Sequence, residues 1–117
     1  MTILTVCEFG MNRSRRLAEH LSSLGYNTLY GGVREPRDVL QEKISTADVI
    51  ISVHPKITEK LMLFDLGEKR IISLDVPDVY EQPGWNPSSA QNWMRARETS
   101  VYPKLIEQID KYLPLQP

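Results

Sequence analysis

The stretch that decides the fold reads TILTVCEFGMNRS and spans residues 2–14. Residues 2–7 form a near-continuous apolar run that ends at Cys7, as in a strand that is covered on both faces. After Ser14, apolar side chains recur at the spacing of one helical face, at Leu17, Ala18, Leu21 and Leu24. The stretch therefore predicts a strand, a tight loop and the start of a helix.

The same alternation of strands and helices continues to the end of the chain. Further strands are predicted over residues 26–30, 49–53 and 69–74. Helices are predicted over residues 37–47, 57–64 and 88–113. The pair Gly31-Gly32 is expected to end the second strand, and Pro103 to kink or divide the last helix. This order predicts an α/β fold with a parallel sheet that binds its ligand at the carboxyl ends of the strands.

Length and composition narrow the class of protein. The chain has 117 residues and a formal net charge of -1, so we expect one domain over residues 1–117 and not a general nucleic-acid binder, which would carry a basic excess. No apolar run approaches the roughly 20 residues of a membrane span. Because Cys7 is the only cysteine, the chain can form no internal disulfide and no four-ligand structural zinc site. These features predict a cytoplasmic protein that does not act at a membrane.

The loop after the first strand carries the strongest chemical signal. Cys7, Arg13 and Ser14 form a C-x5-R-S pattern between a predicted strand and a predicted helix. A loop of this length can curl so that its backbone N–H groups converge on an anion, and the helix N-terminus adds further donors. Arg13 can bind two phosphoryl oxygens. The positive field of the loop and the helix N-terminus also favours a thiolate at Cys7, and Ser14 can donate a hydrogen bond to that thiolate. Gly10 offers the positive φ that a tight loop demands, so we interpret the loop as a phosphate site rather than a core strand end.

Phosphoryl transfer to a cysteine also needs a proton for the leaving oxygen and a base for the later attack of water. The segment after the fourth predicted strand reads DVPDVY over residues 75–80 and lies at the same sheet edge. Asp75 and Asp78 are both candidates for this role. Aspartates beside proline also cap and shape turns, which is the alternative interpretation of both residues.

The residues CEFGMNRS after an N-terminal strand, with VPDVY much later, resemble the low-molecular-weight protein tyrosine phosphatases. The order of the motifs carries the resemblance, since in that family the cysteine loop comes first and the acid comes late. In the larger tyrosine phosphatases the acid precedes the cysteine. The resemblance covers most of residues 1–80. It implies a three-layer, doubly wound, phosphatase-I-like fold with a four-stranded parallel sheet in the order 2-1-3-4.

The same resemblance implies a role for each matched residue. Cys7 resembles the nucleophile, and Asp78 resembles the general acid that protonates the phenol and then activates water against a phosphocysteine. Arg13 resembles the arginine that clamps the phosphate, Ser14 the serine that stabilises the thiolate, and Tyr80 one wall of the slot for the phenyl ring. The residues between nucleophile and arginine complete the implied phosphate site: Glu8, Phe9, Gly10, Met11 and Asn12. The implied substrate is a phosphotyrosine protein or a small phosphomonoester, with no cofactor and no metal.

Several residues depart from the family pattern and keep alternatives open. Phe9 and Gly10 stand where the family usually has Gly and Asn, and Asn12 stands where a second cysteine is common. A phosphate- or phosphopeptide-binding pseudophosphatase is one alternative, and an arsenate reductase that borrows an external thiol is another. At the rim, His54 and Trp85 are candidates to line the substrate mouth, although a histidine before proline often only ends a strand.

Overall fold

A four-stranded parallel sheet lies at the centre of the computed structural model, which describes residues 1–81 and 93–117 except for the side chains of Tyr80, Trp93 and Met94. Its strands are β1 (Thr2–Cys7), β2 (Asn27–Gly32), β3 (Val49–Ser52) and β4 (Arg70–Ser73). The spatial order is β2-β1-β3-β4, and neighbouring strands are parallel. The predicted fold class and the strand order 2-1-3-4 are therefore confirmed.

Helices connect the strands and cover both faces of the sheet. They are α1 (Arg13–Ser23), α2 (Arg37–Thr46), α3 (Pro55–Leu61), α4 (Trp93–Ala96), a π-helical turn (Arg97–Val101) and α5 (Tyr102–Asp110). The chain moves from β1 to β2 in one direction and then from β2 to β4 in the other. Right-handed crossovers therefore place α1 on one face and both α2 and α3 on the opposite face. The last helix, α5, packs beside α1.

The core fills the space between the sheet and these helices. Its fully buried members from β1 and β3 include Ile3, Leu4, Val6, Ile50 and Ile51. Its fully buried members from α1 and α5 include Leu17, Leu21, Leu105 and Ile109. Strands that are covered on both faces need apolar side chains on both faces, which explains the near-continuous apolar runs of β1 and β3. Burial of both central strands holds their carboxyl ends in place, and the loops that follow them meet at one edge.

The expectation that Gly31-Gly32 ends the second strand is wrong, because β2 runs through both glycines. Gly31 pairs with Val6 and Gly32 pairs with Cys7 in the ladder between β1 and β2. A Cβ atom on Gly32 would lie 2.3 Å from the backbone nitrogen of Gly10, which is closer than any real contact. Gly32 therefore allows β2 and the loop after β1 to pack closely together, and it does not form a turn.

The ends of two helices also differ from the prediction. α3 begins at Pro55 and ends at Leu61, whereas residues 57–64 were expected. Proline is well suited to the first helical position, and the side chain of His54 accepts a hydrogen bond from the backbone N–H of Lys56 at 3.1 Å. The C-terminal helix is divided as expected, since Pro103 lies in the first turn of α5 directly after the π-helical turn. The predicted start of that helix, residues 88–92, lies outside the described residues.

Within the described part of the chain, no helix has both the length and the apolar composition that a membrane crossing requires.

The close approach at Gly32 makes a direct prediction about stability. We expect Gly32→Ala to lower the free energy of unfolding by about 3 kcal/mol, because the new methyl group would push the backbone of the loop away from β2. Gly31→Ala is the matched control, since its Cβ would meet side-chain atoms rather than backbone, the nearest being the end of Leu40 at 3.1 Å. Urea unfolding of both variants measures the difference, and equal losses would contradict the argument.

Candidate active site

The sulfur of Cys7 lies where β1 ends, and the residue is 3% exposed. Its Sγ is 3.0 Å from Oγ of Ser14, and the backbone N–H of Gly10 donates to it at 3.2 Å. Ser14 is held in the first turn of α1, where its carbonyl accepts a hydrogen bond from the hydroxyl of Thr5 at 2.6 Å. The fold thus brings the predicted nucleophile, the predicted serine and the helix start together around one sulfur atom.

The loop between Cys7 and Arg13 has the tight conformation that the sequence predicts. Gly10 has a φ of 75°, the left-handed region that glycine adopts at no steric cost. The Phe9 and Met11 side chains are exposed, and Asn12 precedes α1 without capping it through its side chain. The carbonyl of Asn12 accepts the first helical hydrogen bond, from the backbone N–H of Arg16 at 3.0 Å.

Arg13 is almost fully buried, and its guanidinium reaches the loop after β4. Its Nη1 donates to the carbonyl of Val76 at 2.8 Å. Its Nε lies 3.9 Å from Oδ2 of Asp78, and its Nη2 lies 3.7 Å from Oε1 of Glu81. Both distances are longer than a direct hydrogen bond. Among the described residues, therefore, the edge formed by Nε and Nη2 faces two carboxylates without bonding to either.

Asp78 is a buried carboxylate that donors contact at both oxygens. It is 4% exposed, and Arg97 approaches both of its oxygens, with Nε 3.2 Å from Oδ1 and Nη2 3.4 Å from Oδ2. The backbone N–H of Val79 also donates to Oδ1, at 2.7 Å. Two arginines from opposite ends of the chain, Arg13 and Arg97, therefore flank the predicted acid.

Sequence reasoning missed Arg97, and one signal was available to find it. Arg97, Val101, Leu105 and Ile109 follow one another at intervals of four and are all buried. An arginine in line with an apolar stripe needs a buried anion as its partner. The sequence does not indicate that Asp78 is that partner, because Asp78 and Arg97 are 19 positions apart and belong to different segments.

Asp75 occupies a different environment from Asp78. Its side chain is 77% exposed and lies 3.6 Å from Nε2 of His54. Its backbone is tied to Gln108, with the N–H of Asp75 donating to Oε1 at 2.8 Å. His54 also accepts from the N–H of Lys56 through Nδ1, so it caps α3 as well as facing Asp75. Of the two aspartates that the sequence leaves open, only Asp78 lies beside Arg13 in the described structure.

A cavity of about 460 Å³ opens beside the loop, and we call it the mouth. Arg13, Phe9 and His54 line it, together with Glu8, which forms ion pairs at its rim. Arg34 donates through Nε to Oε1 of Glu8 at 2.6 Å, and Lys60 donates to both oxygens at 3.1 Å. Partial burial opposes ionisation of Glu8, but these hydrogen bonds and charges outweigh it and hold the pKa of Glu8 below its ordinary value.

Two further arginines lie at the start of α1. Arg15 and Arg16 both pair with Glu19 on the surface of α1, so they behave as solvated helix residues. The side chains of Tyr80 and Trp93, and the whole of Trp85, lie outside the described residues.

No model of a known protein family matches the chain. No curated protein matches it in sequence. Solved structures do match it over nearly its whole length. A structure of YwlE arginine phosphatase with a phosphorylated active-site serine is 13% identical, with a TM-score of 0.62 and 97% of each chain covered. The chain has the fold of the low-molecular-weight tyrosine phosphatases.

Two further structures share this phosphatase fold. An arsenate reductase from Archaeoglobus fulgidus is 14% identical, with a TM-score of 0.52, covering 93% of this chain and 96% of the other. A mutant of YwlE from Bacillus subtilis is 16% identical, with a TM-score of 0.50, covering 94% of this chain and 99% of the other. At these identities the matches establish the fold alone.

The ion pairs of Glu8 predict a pH-dependent contribution to stability. Because its pKa is lowered from 4.5 on folding, Glu8 stabilises the folded state above that pH, and the contribution is lost as the pH falls below it. We expect Glu8→Gln to lower the free energy of unfolding by about 0.5–1 kcal/mol at neutral pH and by less in acid. Urea unfolding of the wild type and the variant at neutral pH and in acid measures these two losses. Glu42→Gln is the control, since Glu42 has no ion pair among the described residues, and a pH-independent loss in Glu8→Gln would contradict the prediction.

The buried pair of Asp78 and Arg97 predicts a larger effect. Arg97→Met is expected to lower the free energy of unfolding by about 3 kcal/mol, because it leaves Asp78 buried beside fewer positive charges. Adding Asp78→Asn should cost less in the Arg97→Met background than in the wild type, since the two residues share one interaction. Arg95→Met, at an exposed neighbouring position, is the control. Additive losses in the double variant would show that the two residues are not coupled.

Proposed function

We propose that the chain is a cysteine-dependent phosphomonoester hydrolase that acts on phosphotyrosine through a phosphocysteine intermediate. One observation carries the proposal: the only cysteine lies at the carboxyl end of a central strand, where the backbone N–H of Gly10 donates to its sulfur, the Ser14 hydroxyl lies 3.0 Å from it, and Arg13 begins the helix after the loop. An anion site that combines a helix N-terminus, a curled loop and an arginine suits a phosphoryl group.

In the proposed first step, the thiolate of Cys7 attacks phosphorus and forms an S–P bond while the P–O bond to the tyrosine breaks. Asp78 gives its proton to the departing phenolate oxygen. The loop backbone from Glu8 to Asn12 and the Nε–Nη2 edge of Arg13 hold the phosphoryl oxygens, and Ser14 donates to the sulfur.

In the proposed second step, water attacks phosphorus and the S–P bond breaks. Asp78 takes the proton from the water, inorganic phosphate leaves, and the thiolate of Cys7 is restored. Arg97 is a positioning residue in this scheme, since it touches both oxygens of Asp78 and fixes the direction in which the carboxyl group points.

The charges at the mouth favour a phenol over a basic leaving group. YwlE is named an arginine phosphatase, and a phosphorylated arginine would leave as a guanidinium. In this chain Arg34, Lys56 and Lys60 line the mouth, and they repel such a cation.

A second candidate function is phosphate or phosphopeptide binding without turnover. The observation that favours it is the engagement of both oxygens of Asp78 by Arg97, because an acid whose two oxygens already bind an arginine has neither oxygen free for a leaving group. Arsenate reduction ranks below both functions, since the chain has no second cysteine to resolve an oxidised Cys7.

The test is hydrolysis of phenyl phosphate and of phosphotyrosine between about pH 5 and pH 8 without added metal. We expect Cys7→Ser to abolish turnover. Asp78→Asn should lower kcat for phenyl phosphate by about 10²-fold, because the phenolate then leaves without a proton, while the matched variant Asp75→Asn stays within about twofold.

The outcomes test the proposed mechanism, the alternative binding function and the identity of the acid. Turnover that survives Cys7→Ser excludes the proposed mechanism. No turnover by the wild type, together with vanadate binding that Arg13→Met abolishes, establishes the binding module instead. A large loss in Asp75→Asn with none in Asp78→Asn shows that the acid is misassigned.

A further inference from the structure

Cationic side chains surround the mouth in excess. Within the described residues its lining contains four arginine and lysine side chains, Arg13, Arg34, Lys56 and Lys60, and only two carboxylates, Glu8 and Glu81. The chain as a whole has a formal net charge of -1, so the mouth is locally opposite in sign to the molecule.

The two carboxylates leave part of this positive charge unbalanced. Glu8 is shared between Arg34 and Lys60, so one negative charge faces two positive ones. Glu81 lies 3.7 Å from Arg13, which the proposed function needs for the phosphoryl group. Among the described residues, no carboxylate lies within 4.0 Å of Lys56, whose charge is therefore available to a ligand.

We propose that the mouth selects phosphopeptides with acidic residues next to the phosphorylated one, and that Lys56 is the main cation that recognises them. This inference rests on the proposed function for the position of the phosphoryl group. A carboxylate on the substrate would meet the positive charge of Lys56, and a basic residue at the same place would be repelled.

The arrangement of the cations indicates an extended ligand rather than a small ester. Lys56 and Lys60 are four residues apart on α3, so their side chains leave the same face of the helix about 6 Å apart along its axis. Arg34, which also pairs with Glu8, belongs to a different element, the segment after β2. Because these cations come from the start of α1, the segment after β2 and α3, a peptide with acidic neighbours can contact several of them.

The electrostatic preference is expected to be moderate, because these side chains are exposed to solvent. The side chains of Arg34 and Lys60 are 64% and 45% exposed. Each exposed charge pair is therefore worth about two- to fivefold in binding, and the whole preference is about tenfold. Salt should reduce it, since exposed pairs are screened within about 10 Å at 0.1 M ionic strength.

The experiment compares three phosphotyrosine peptides that differ only in the residues flanking phosphotyrosine: Asp, Asn or Lys. Hydrolysis by the full chain gives kcat/KM for each peptide, and fluorescence anisotropy gives their affinities for the Cys7→Ser protein. We expect the Asp peptide to exceed the Asn peptide by about tenfold in both measurements, and the preference to shrink between about 0.05 M and 0.5 M salt.

Variants at Lys56 test the assignment directly. Lys56→Gln should lower the Asp-to-Asn ratio of kcat/KM by about two- to fivefold, and Lys56→Glu should favour the Lys peptide. Lys111→Gln is the matched control, because Lys111 follows α5 and does not line the mouth.

The outcomes separate this inference from the function on which it rests. Equal values for the Asp and Asn peptides, in turnover or in binding, overturn the inference and leave the phosphatase proposal intact. A preference that Lys56→Gln and Lys111→Gln reduce equally overturns the assignment to Lys56. If no peptide is hydrolysed, the proposed function fails, and the binding measurements on the Cys7→Ser protein still decide whether the mouth selects acidic peptides.

Discussion

The close packing of the loop after β1 against the bare backbone of β2 is the contact on which the site depends. Gly10 and Gly32 approach each other so closely that neither position has room for a side chain. The backbone N–H groups of Val33 and Arg34 then donate to the carbonyls of Cys7 and Glu8, at 3.0 and 2.9 Å. The ladder between β1 and β2 thus continues past the end of the sheet and holds the first turn of the loop. The sulfur of Cys7 is placed by sheet geometry rather than by a free-standing loop.

A second constraint joins the two ends of the chain. Arg13 follows the first strand, Asp78 follows the last one, and Arg97 lies in the C-terminal segment, yet all three are nearly buried in one cluster. Buried ion pairs add little net stability, because removing the charges from water costs nearly as much as their attraction returns. Their effect is instead on specificity, since an arginine or aspartate left without its partner there would be costly. The cluster therefore fixes the loop after β4 relative to the loop after β1 and orients the acid in the proposed reaction.

Local patterns in the sequence predicted the structural features that depend on neighbouring residues. The apolar run of β1, the positive φ of Gly10 and the division of the last helix at Pro103 each follow from neighbouring residues, and all three are observed. The strand order came from the resemblance, because periodicity alone does not say which strands are neighbours. The contacts of Gly32 and Arg97 could not be read from the sequence. Both depend on segments far apart in the chain, and a glycine or a buried arginine has no local pattern that names its partner.

The π-helical turn has a consequence for the phase of the C-terminal helix. In an α-helix, four residues overshoot one full turn by about 40°, so three such steps would rotate Ile109 about 120° away from Arg97. The wider π turn advances by a smaller angle per residue and offsets part of this drift. Arg97 can therefore face Asp78 while Leu105 and Ile109, further along the same helical segment, remain buried. The π-helical turn therefore lets the polar contact at one end of the segment and the apolar residues at the other end lie on the same side of the helix.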